Sequence, residues 1–308
     1  MTDSPADRGE GAPPLLSIVV PTYNRAHLIP RTLASLQAQA LRNHEILIVD
    51  DGSTDDTAAA VRPFLNASTR YIARPNLERA AARNHGASLA RGRYVNFFDS
   101  DDLALPNHTA EAARVAALYP DAEWFHLGYE WARPDGTVFR AGPRFDGPQL
   151  NHRLAQGNLL SCNGVFVRRD LLAAHPFNED RLLSASEDYE LWLRLAARFP
   201  LRYSNTVTSR VVDHDQRSVR TINGARLTDR LERMVRHLEA DPQVRAAYGA
   251  AYRRIRMGAW SYVALHLSEH RAWKAASIRY LLRAFGESPR YLTTRQCLAT
   301  VRNLLLTW

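Results

Sequence analysis

Short apolar runs that end in polar turns punctuate the first third of the chain, with helical spacing between them. Leu16-Ser17-Ile18-Val19-Val20 predicts a buried strand entering the turn Pro21-Thr22-Tyr23-Asn24, after which Leu28, Thr32, Leu33 and Leu36 recur at the period of a helix. Glu45-Ile46-Leu47-Ile48-Val49 predicts a second strand closing on Asp50-Asp51-Gly52-Ser53-Thr54-Asp55, where Ser53 or Thr54 is placed to cap the next helix. Tyr71-Ile72, a helix carrying Arg83-Asn84-His85-Gly86, and the run Tyr94-Val95-Asn96-Phe97-Phe98 continue the alternation. Strand and helix in that order predict a parallel sheet with crossover helices, which gathers the polar turns along one sheet edge.

Beyond this point the pattern changes. Ala122 to Trp131 is aromatic and extended, Pro134-Asp135-Gly136-Thr137 is a turn and Val138-Phe139 a return strand, together a hairpin. Gly142 to Gly157 lacks periodicity and is expected to be a mobile loop over the site. Asn163 to Val167 predicts a core strand and Arg169 to Ala174 a short helix. Glu187 to Ala196 is an amphipathic helix with Ser184 or Ser186 as N-cap, so Glu187 and Asp188 stand in its first turn. From Gly224 onward the chain predicts helices over 225–240, 242–268, 271–285 and 289–306.

A chain of 308 residues with 45% hydrophobic content exceeds one typical domain. We expect a disordered leader over 1–14 without the apolar core of a signal peptide, a main domain over 15–222 in two halves (15–105 and 106–222), and a helical region over 223–308. No stretch approaches the ~18–20 apolar residues of a membrane span. Cys162 and Cys297 lie far apart with no metal-ligand spacing, which predicts free buried thiols in a reducing compartment. From His214 onward 17 Arg or Lys face 7 Asp or Glu, whereas residues 1–213 carry 23 against 25, so the formal excess of +8 sits in the last third. Arg271, Lys274, Arg279, Arg283, Arg290 and Arg295 share segments with apolar faces such as Ile278, Leu282 and Phe285. Two expectations stand: solvated basic faces of helices packed on the main domain, or a foot for an anionic membrane surface. No nucleic-acid motif accompanies the basic residues.

The candidate chemistry centres on Asp99-Ser100-Asp101-Asp102, set directly after an apolar run. Ligands of open α/β sheets collect at the carboxyl ends of strands. Carboxylates held this close repel one another and suit a hard divalent cation that carries substrate phosphates. A solvated turn before the helix that follows Pro106 would use the same residues. On the same edge Tyr23 offers a ring to stack on a base, Asp50 and Asp51 offer acceptors for base or ribose donors, and Arg83 offers a cation. The set suits a nucleoside diphosphate. No Walker loop or G-x-G-x-x-G fingerprint is present, which argues against a P-loop ATPase and a dehydrogenase.

Pro21-Thr22-Tyr23-Asn24, Asp50-Asp51-Gly52-Ser53-Thr54-Asp55, Ala82-Arg83-Asn84-His85-Gly86 and Phe98-Asp99-Ser100-Asp101-Asp102 resemble glycosyltransferase family 2, over roughly residues 15 to 218. The resemblance implies an α/β protein of the GT-A fold: a Rossmann-like, mostly parallel sheet flanked by helices, here with a C-terminal helical extension. It makes 15–105 the nucleotide-binding half and 106–222 the acceptor half. It implies a nucleotide-diphospho-sugar donor, most often a UDP-sugar, with manganese or magnesium, and inversion at the anomeric carbon. Pro21, Tyr23, Asn24, Asp50, Asp51, Arg83, Asp99 and Ser100 then fall to the nucleotide sugar, and Asp101 to the metal with Asp99 helping. Asp102 binds ribose or caps the next turn. His214 resembles the family's late Arg-x-x-x-His segment, which reaches metal or diphosphate, and Arg217, with Arg220 and Arg210, is placed to clamp the diphosphate.

Glu187-Asp188 matches the family's Glu-Asp motif, which makes Asp188 the base for the acceptor hydroxyl and Glu187 a positioning group. Apart from the resemblance, both acids would simply complement the helix dipole. Asn158 to Asn163 is expected to floor the acceptor site, with Cys162 packed there and not a nucleophile. Where many relatives carry Gly-Gly-Phe-Asp, this chain has His175-Pro176-Phe177-Asn178, so local loop shape is expected to differ.

The resemblance thus implies an inverting, metal-dependent glycosyltransferase of cell-surface polysaccharide or glycolipid assembly. Its expected partners are a nucleotide sugar, a glycan or lipid-linked acceptor and an anionic membrane surface, not nucleic acid. Its expected place is the cytoplasm or the inner face of the cytoplasmic membrane. A nucleotidyltransferase making the nucleotide sugar would need a Gly-rich basic loop where Pro21-Thr22-Tyr23-Asn24 stands. An inactive nucleotide-sugar sensor would need a broken Asp-x-Asp or a missing base, and both are intact.

Overall fold

The computed structural model describes residues 13–147, 150–214 and 223–306. Four strands, β1 (Leu16–Thr22), β2 (His44–Asp50), β3 (Thr69–Ala73) and β4 (Tyr94–Phe97), pair in parallel in the order β3-β2-β1-β4. Their near-continuous apolar character follows from burial on both faces. Alternate residues of β1 separate to the two sides: Ile18 and Val20 join Ile46 and Ile48 beneath Ile29, Leu33 and Leu36 of α1 (Ile29–Gln37). Val19 instead joins Leu47, Val49 and Val95, with Ala80 and Ala82 of α3 (Arg79–Leu89) packed on that face.

The second half of the sheet is mixed. β8 (Val165–Arg168) lies antiparallel to β4, β6 (Trp124–Ala132) antiparallel to β8, and β9 (Arg202–Val212) parallel to β6. The two-residue strand β5 (Leu103–Ala104) pairs antiparallel with β9, and β7 (Val138–Ala141) forms the expected hairpin with β6. This order carries the end of β9 back to the turn that follows β4, across β5. The helices of this half are α4 (His108–Leu118), α5 (Leu150–Arg153), α6 (Arg169–Ala174) and α7 (Glu187–Ala196).

Several local expectations are corrected. Neither Ser53 nor Thr54 caps α2 (Thr57–Val61): the Thr57 amide donates to Asp55 Oδ1 at 3.1 Å, and Ser53 Oγ accepts the Asn24 amide at 2.9 Å. The segment 142–157 is not an irregular loop throughout. Residues 148–149 lie outside the described residues, but α5 and a 3-10 turn at Leu154–Gln156 follow them, with Phe145, Leu150 and Leu154 buried in the main core. Three widely spaced apolar anchors are too sparse to register as a period, yet they suffice to dock the segment.

The expected helix over 242–268 divides into α9 (Pro242–Tyr248) and α10 (Tyr252–Ser268) at Gly249, whose φ of +47° belongs to the left-handed region. The flanking helices are α8 (Gly224–Ala240), α11 (Lys274–Glu287) and α12 (Arg295–Leu306). Leu227, Leu231, Met234 and Leu238 of α8 share one buried cluster with Leu191 and Trp192 of α7, so the helical region is built onto the sheet's own core. Among the described residues no helix is long and apolar enough to cross a membrane. Both cysteines are free and buried.

Gly86 fixes how closely α3 approaches the sheet. A Cβ there would stand 2.3 Å from Val19 Cγ1 and 3.1 Å from Val49 Cγ2. Gly86→Ala is therefore expected to destabilise the fold by about 1–3 kcal/mol through overpacking. A denaturant titration should give a lower midpoint at unchanged slope; an unchanged midpoint would mean that α3 can stand off β1 freely.

Candidate active site

The carboxyl ends of β1, β2 and β4, with the N-terminal turn of α3, surround a cavity of about 370 Å³. β1 supplies Pro21 and Thr22, the turn after it supplies Tyr23, Asn24 and Arg25, and Tyr23 keeps nearly half of its surface in solvent. Asn24 adopts the left-handed conformation at φ +51°, which asparagine tolerates better than most residues. From there its Oδ1 accepts the Thr54 amide at 2.8 Å, so the first two turns are stitched together.

At the end of β2 the two aspartates separate. Asp51 lines the cavity, with Oδ1 accepting the Leu77 amide at 3.1 Å and paired ionically with Arg74 Nε at 3.5 Å. Asp50 is buried outside the cavity wall, where Oδ1 accepts the Ser53 amide at 2.8 Å and Oδ2 accepts the Tyr71 hydroxyl at 2.5 Å. Its place as a nucleotide contact is thus corrected to that of a turn support, because both oxygens are committed.

The turn after β4 divides its acids three ways. Asp99 accepts from Arg83 Nη2 at 3.0 Å and lines the cavity with Ser100. Asp101 Oδ2 lies 3.0 Å from His214 Nε2 and 3.9 Å from Arg25 Nε. Asp102 is fully buried: Oδ2 accepts from Asn163 Nδ2 at 2.7 Å, Oδ1 accepts the Val212 amide at 2.8 Å, and its carbonyl accepts from Thr32 Oγ1 at 2.8 Å. Asp102 is not among the residues that line the cavity. Asp102 pins the turn.

Arg83 is the hub. Nη1 donates to Glu187 Oε1 at 2.6 Å, Nη2 donates to Asp99, and the guanidinium stacks over the Phe177 ring at 5.3 Å. Arg83 lines the cavity but spends its charge on two carboxylates. Arg83 Nε and Glu187 Oε2 are buried with no hydrogen-bond partner among the described residues. Burial pushes the Glu187 carboxyl up, but Arg83 and then Arg79 outweigh it and hold the group below its ordinary value.

Asp188, next along α7, goes the other way. Burial and then the Glu187 charge push it up to about 6, against the attraction of Arg83. Its Oδ2 accepts from Asn158 Nδ2 at 3.0 Å and from the Cys162 thiol at 3.9 Å, and Oδ1 accepts the Tyr189 amide at 2.7 Å. Burial pushes the Cys162 thiol well up, so it stays protonated and inert. Asp188 is not part of the nucleotide-sized cavity; the Asp99–Arg83–Glu187 chain connects the two places.

Backbone strain sits at the join. Glu78 (φ +75°) and Ala185 (φ +73°) both occupy the left-handed half of backbone space, and Glu78 accepts from Ser184 Oγ at 3.3 Å. Non-glycine residues held so cost about 1–3 kcal/mol each and cluster at functional sites.

The sequence model described as glycosyl transferase family 2 matches residues 17–122. The chain is 30% identical over 184 residues to an Escherichia coli UDP-Glc:alpha-D-GlcNAc-diphosphoundecaprenol beta-1,3-glucosyltransferase, WfgD, covering 59% of this chain and 69% of that one. The chain belongs to glycosyl transferase family 2. Two solved structures share the fold of this family 2 glycosyltransferase. S. aureus TarS 1-349 in complex with UDP-GlcNAc superposes with a TM-score of 0.61 at 17% identity, over 90% of this chain and 91% of that one. The mannosyltransferase PcManGT of Pyrobaculum calidifontis, in complex with GDP-Man and Mn2+, gives 0.55 at 20% identity, over 97% and 90%.

Of the residues expected at the site of this family 2 enzyme, Pro21, Tyr23, Asn24, Asp51, Arg83, Asp99, Ser100 and Asp101 line one cavity, with His214 against Asp101. Arg217 and Arg220 lie outside the described residues. Arg210 is turned to Glu130, with Nε donating to Oε1 at 2.6 Å, and so is not held ready for a diphosphate. Arg25, Arg79, Asn76 and Glu78 line the cavity without having been singled out. Arg79 carried a readable signal, since it precedes Arg83 by one helical turn. As for a metal, no three His, Cys, Asp or Glu side chains converge among the described residues. Asp101 with His214 nevertheless fits a small hard cation, which commonly takes one or two protein ligands and fills its shell with phosphate oxygens and water.

The Asn158 contact stabilises the charged form of Asp188. Carbon-detected NMR titration should place the Asp188 carboxyl near 6 and move it up by about one unit in Asn158→Ala, as a hydrogen bond to a charged group is worth about 1.5 kcal/mol. An unshifted titration would mean that Asn158 contributes nothing to the carboxylate.

Proposed function

We propose that this glycosyltransferase moves a sugar from a nucleotide-diphospho-sugar, a UDP-sugar first among them, to a hydroxyl of a lipid-linked or glycan acceptor with inversion. The reading rests on one observation above the others: Arg83 joins Asp99 of the acid-lined cavity to Glu187, whose neighbour along the helix, Asp188, is raised to about 6. The acceptor class is supported by the E. coli relative, whose named acceptor is a diphosphoundecaprenol-linked sugar. The donor class is supported by the UDP-GlcNAc and GDP-Man complexes of the two neighbours in fold.

A sugar hydroxyl is far too weak an acid to ionise near neutrality, so a base must take its proton as the new bond forms. Asp188 takes that proton on a carboxylate oxygen, the acceptor oxygen bonds to the anomeric carbon, and the carbon–oxygen bond to the diphosphate breaks on the opposite side. The electron pair of the broken bond leaves with the nucleoside diphosphate. Tyr23 stacks on the base and Asp51 accepts from the base or ribose. Asp101 and His214 would hold manganese or magnesium, which when bound would supply positive charge to offset the negative charge developing on the departing diphosphate. Glu187, kept ionised by Arg83, positions Asp188 and raises its affinity for the proton.

Three measurements test this. A UDP-sugar with Mn2+ at about a hundred times its dissociation constant should stabilise the protein by about 2.7 kcal/mol, read as a thermal shift that shrinks without the metal. No shift with any UDP-, GDP- or dTDP-sugar would overturn the donor assignment. Asp188→Asn should keep that shift yet lose about 10²–10⁴-fold in turnover. In the unaltered enzyme kcat/KM should fall about tenfold per pH unit below about 6, because the base is protonated there. Full turnover by the variant, or a flat acid limb, would move the base elsewhere.

A further inference from the structure

The last two helices leave a face that neither the reaction nor the core uses. Ile278, Leu282 and Phe285 of α11 are exposed at one-turn spacing, and Leu298, Val301 and Leu305 of α12 repeat the pattern, Leu298 and Leu305 with more than 60% of their surface in water. The buried positions of α11, Ser277, Tyr280 and Ala284, face away from its stripe, and the buried Cys297 and Thr300 of α12 flank Val301 along the inner border of the second stripe. The exposed stripes are therefore not core residues at a frayed edge. Both helices pack on α10, and Lys274 Nζ donates to the Leu304 carbonyl at 3.3 Å, which ties the start of α11 to the end of α12.

Charge identifies what such a face meets. Residues 271–306 carry seven Arg or Lys and a single acid, Glu287. Glu287 is turned to α10, where it pairs with Arg256 at 2.8 Å and Arg253 at 3.7 Å. Arg279 borders the α11 stripe, and Arg295 and Arg302 border that of α12; no acid pairs with these three among the described residues. A second copy docking on this face through two-fold symmetry would bring cations onto cations. An apolar stripe flanked by arginine is instead the pattern of a helix lying in a lipid headgroup layer, its apolar face sunk to the acyl boundary.

We propose that α11 and α12 form a monotopic foot that seats the enzyme on an anionic lipid surface, with Leu282, Leu298 and Leu305 entering the layer and the bordering arginines meeting the phosphates.

The test is co-sedimentation of the full chain with vesicles of phosphatidylcholine alone or with 30% phosphatidylglycerol. Binding should be at least about tenfold tighter to the anionic vesicles and should weaken as salt is raised to about 0.5 M. Leu282→Ser/Leu298→Ser/Leu305→Ser should lose about tenfold or more of that binding while keeping its melting temperature and nucleotide-sugar thermal shift. Equal binding to both vesicles, or undiminished binding by the triple variant, overturns the proposal. So does light scattering that shows a dimer of the unaltered chain which the same substitutions dissociate. Loss of the nucleotide-sugar shift in the unaltered chain would count against the reaction and leave this surface untouched.

Discussion

A single buried guanidinium holds the site together. Arg83, 3% exposed, reaches Glu187 on one side and Asp99 on the other while lying over Phe177. Removing one partner of such a buried pair leaves an uncompensated charge, at a cost of about 3–5 kcal/mol. α3, α7 and the turn after β4 are therefore one electrostatic unit. The neighbouring side chain completes it: Asn84 Oδ1 accepts the Phe177 amide and Nδ2 donates to the Phe177 carbonyl, both at 2.9 Å. The altered loop His175-Pro176-Phe177-Asn178 thus keeps the one residue that the arginine needs beneath it.

That unit also sorts two adjacent carboxylates. Glu187 faces two arginines and stays ionised; Asp188 inherits the Glu187 charge as a repulsion and is pushed the other way. Environments that drive neighbouring acids apart are how one fold obtains a spectator and a base from similar groups. The same sorting runs through the turn after β4, where three acids within four residues take three unrelated partners.

Much of this was legible along the chain. The parallel strands announced themselves as apolar runs, α1 by Leu33 and Leu36, and the gathering of polar turns on one edge followed from topology alone. What stayed hidden depends on contacts between residues far apart in sequence. Arg83 and Glu187 are 104 positions apart, so the arginine read as a free cation although its charge is committed. Asp50 and Asp51 are indistinguishable as letters, and only the pleat of β2 and the Tyr71 hydroxyl separate the buried one from the cavity one. Phe145, Leu150 and Leu154 had no period to betray the docked segment around α5.

Asp102 has the last consequence. Through its carboxylate and carbonyl it is fastened to Asn163 ahead of β8, Val212 at the end of β9 and Thr32 of α1. Three separate regions of the chain thereby immobilise the two residues before it. On the function proposed above, a donor arriving at Asp101 meets a preorganised anchor, and the entropy of shaping that anchor has been met during folding, not at the moment of encounter.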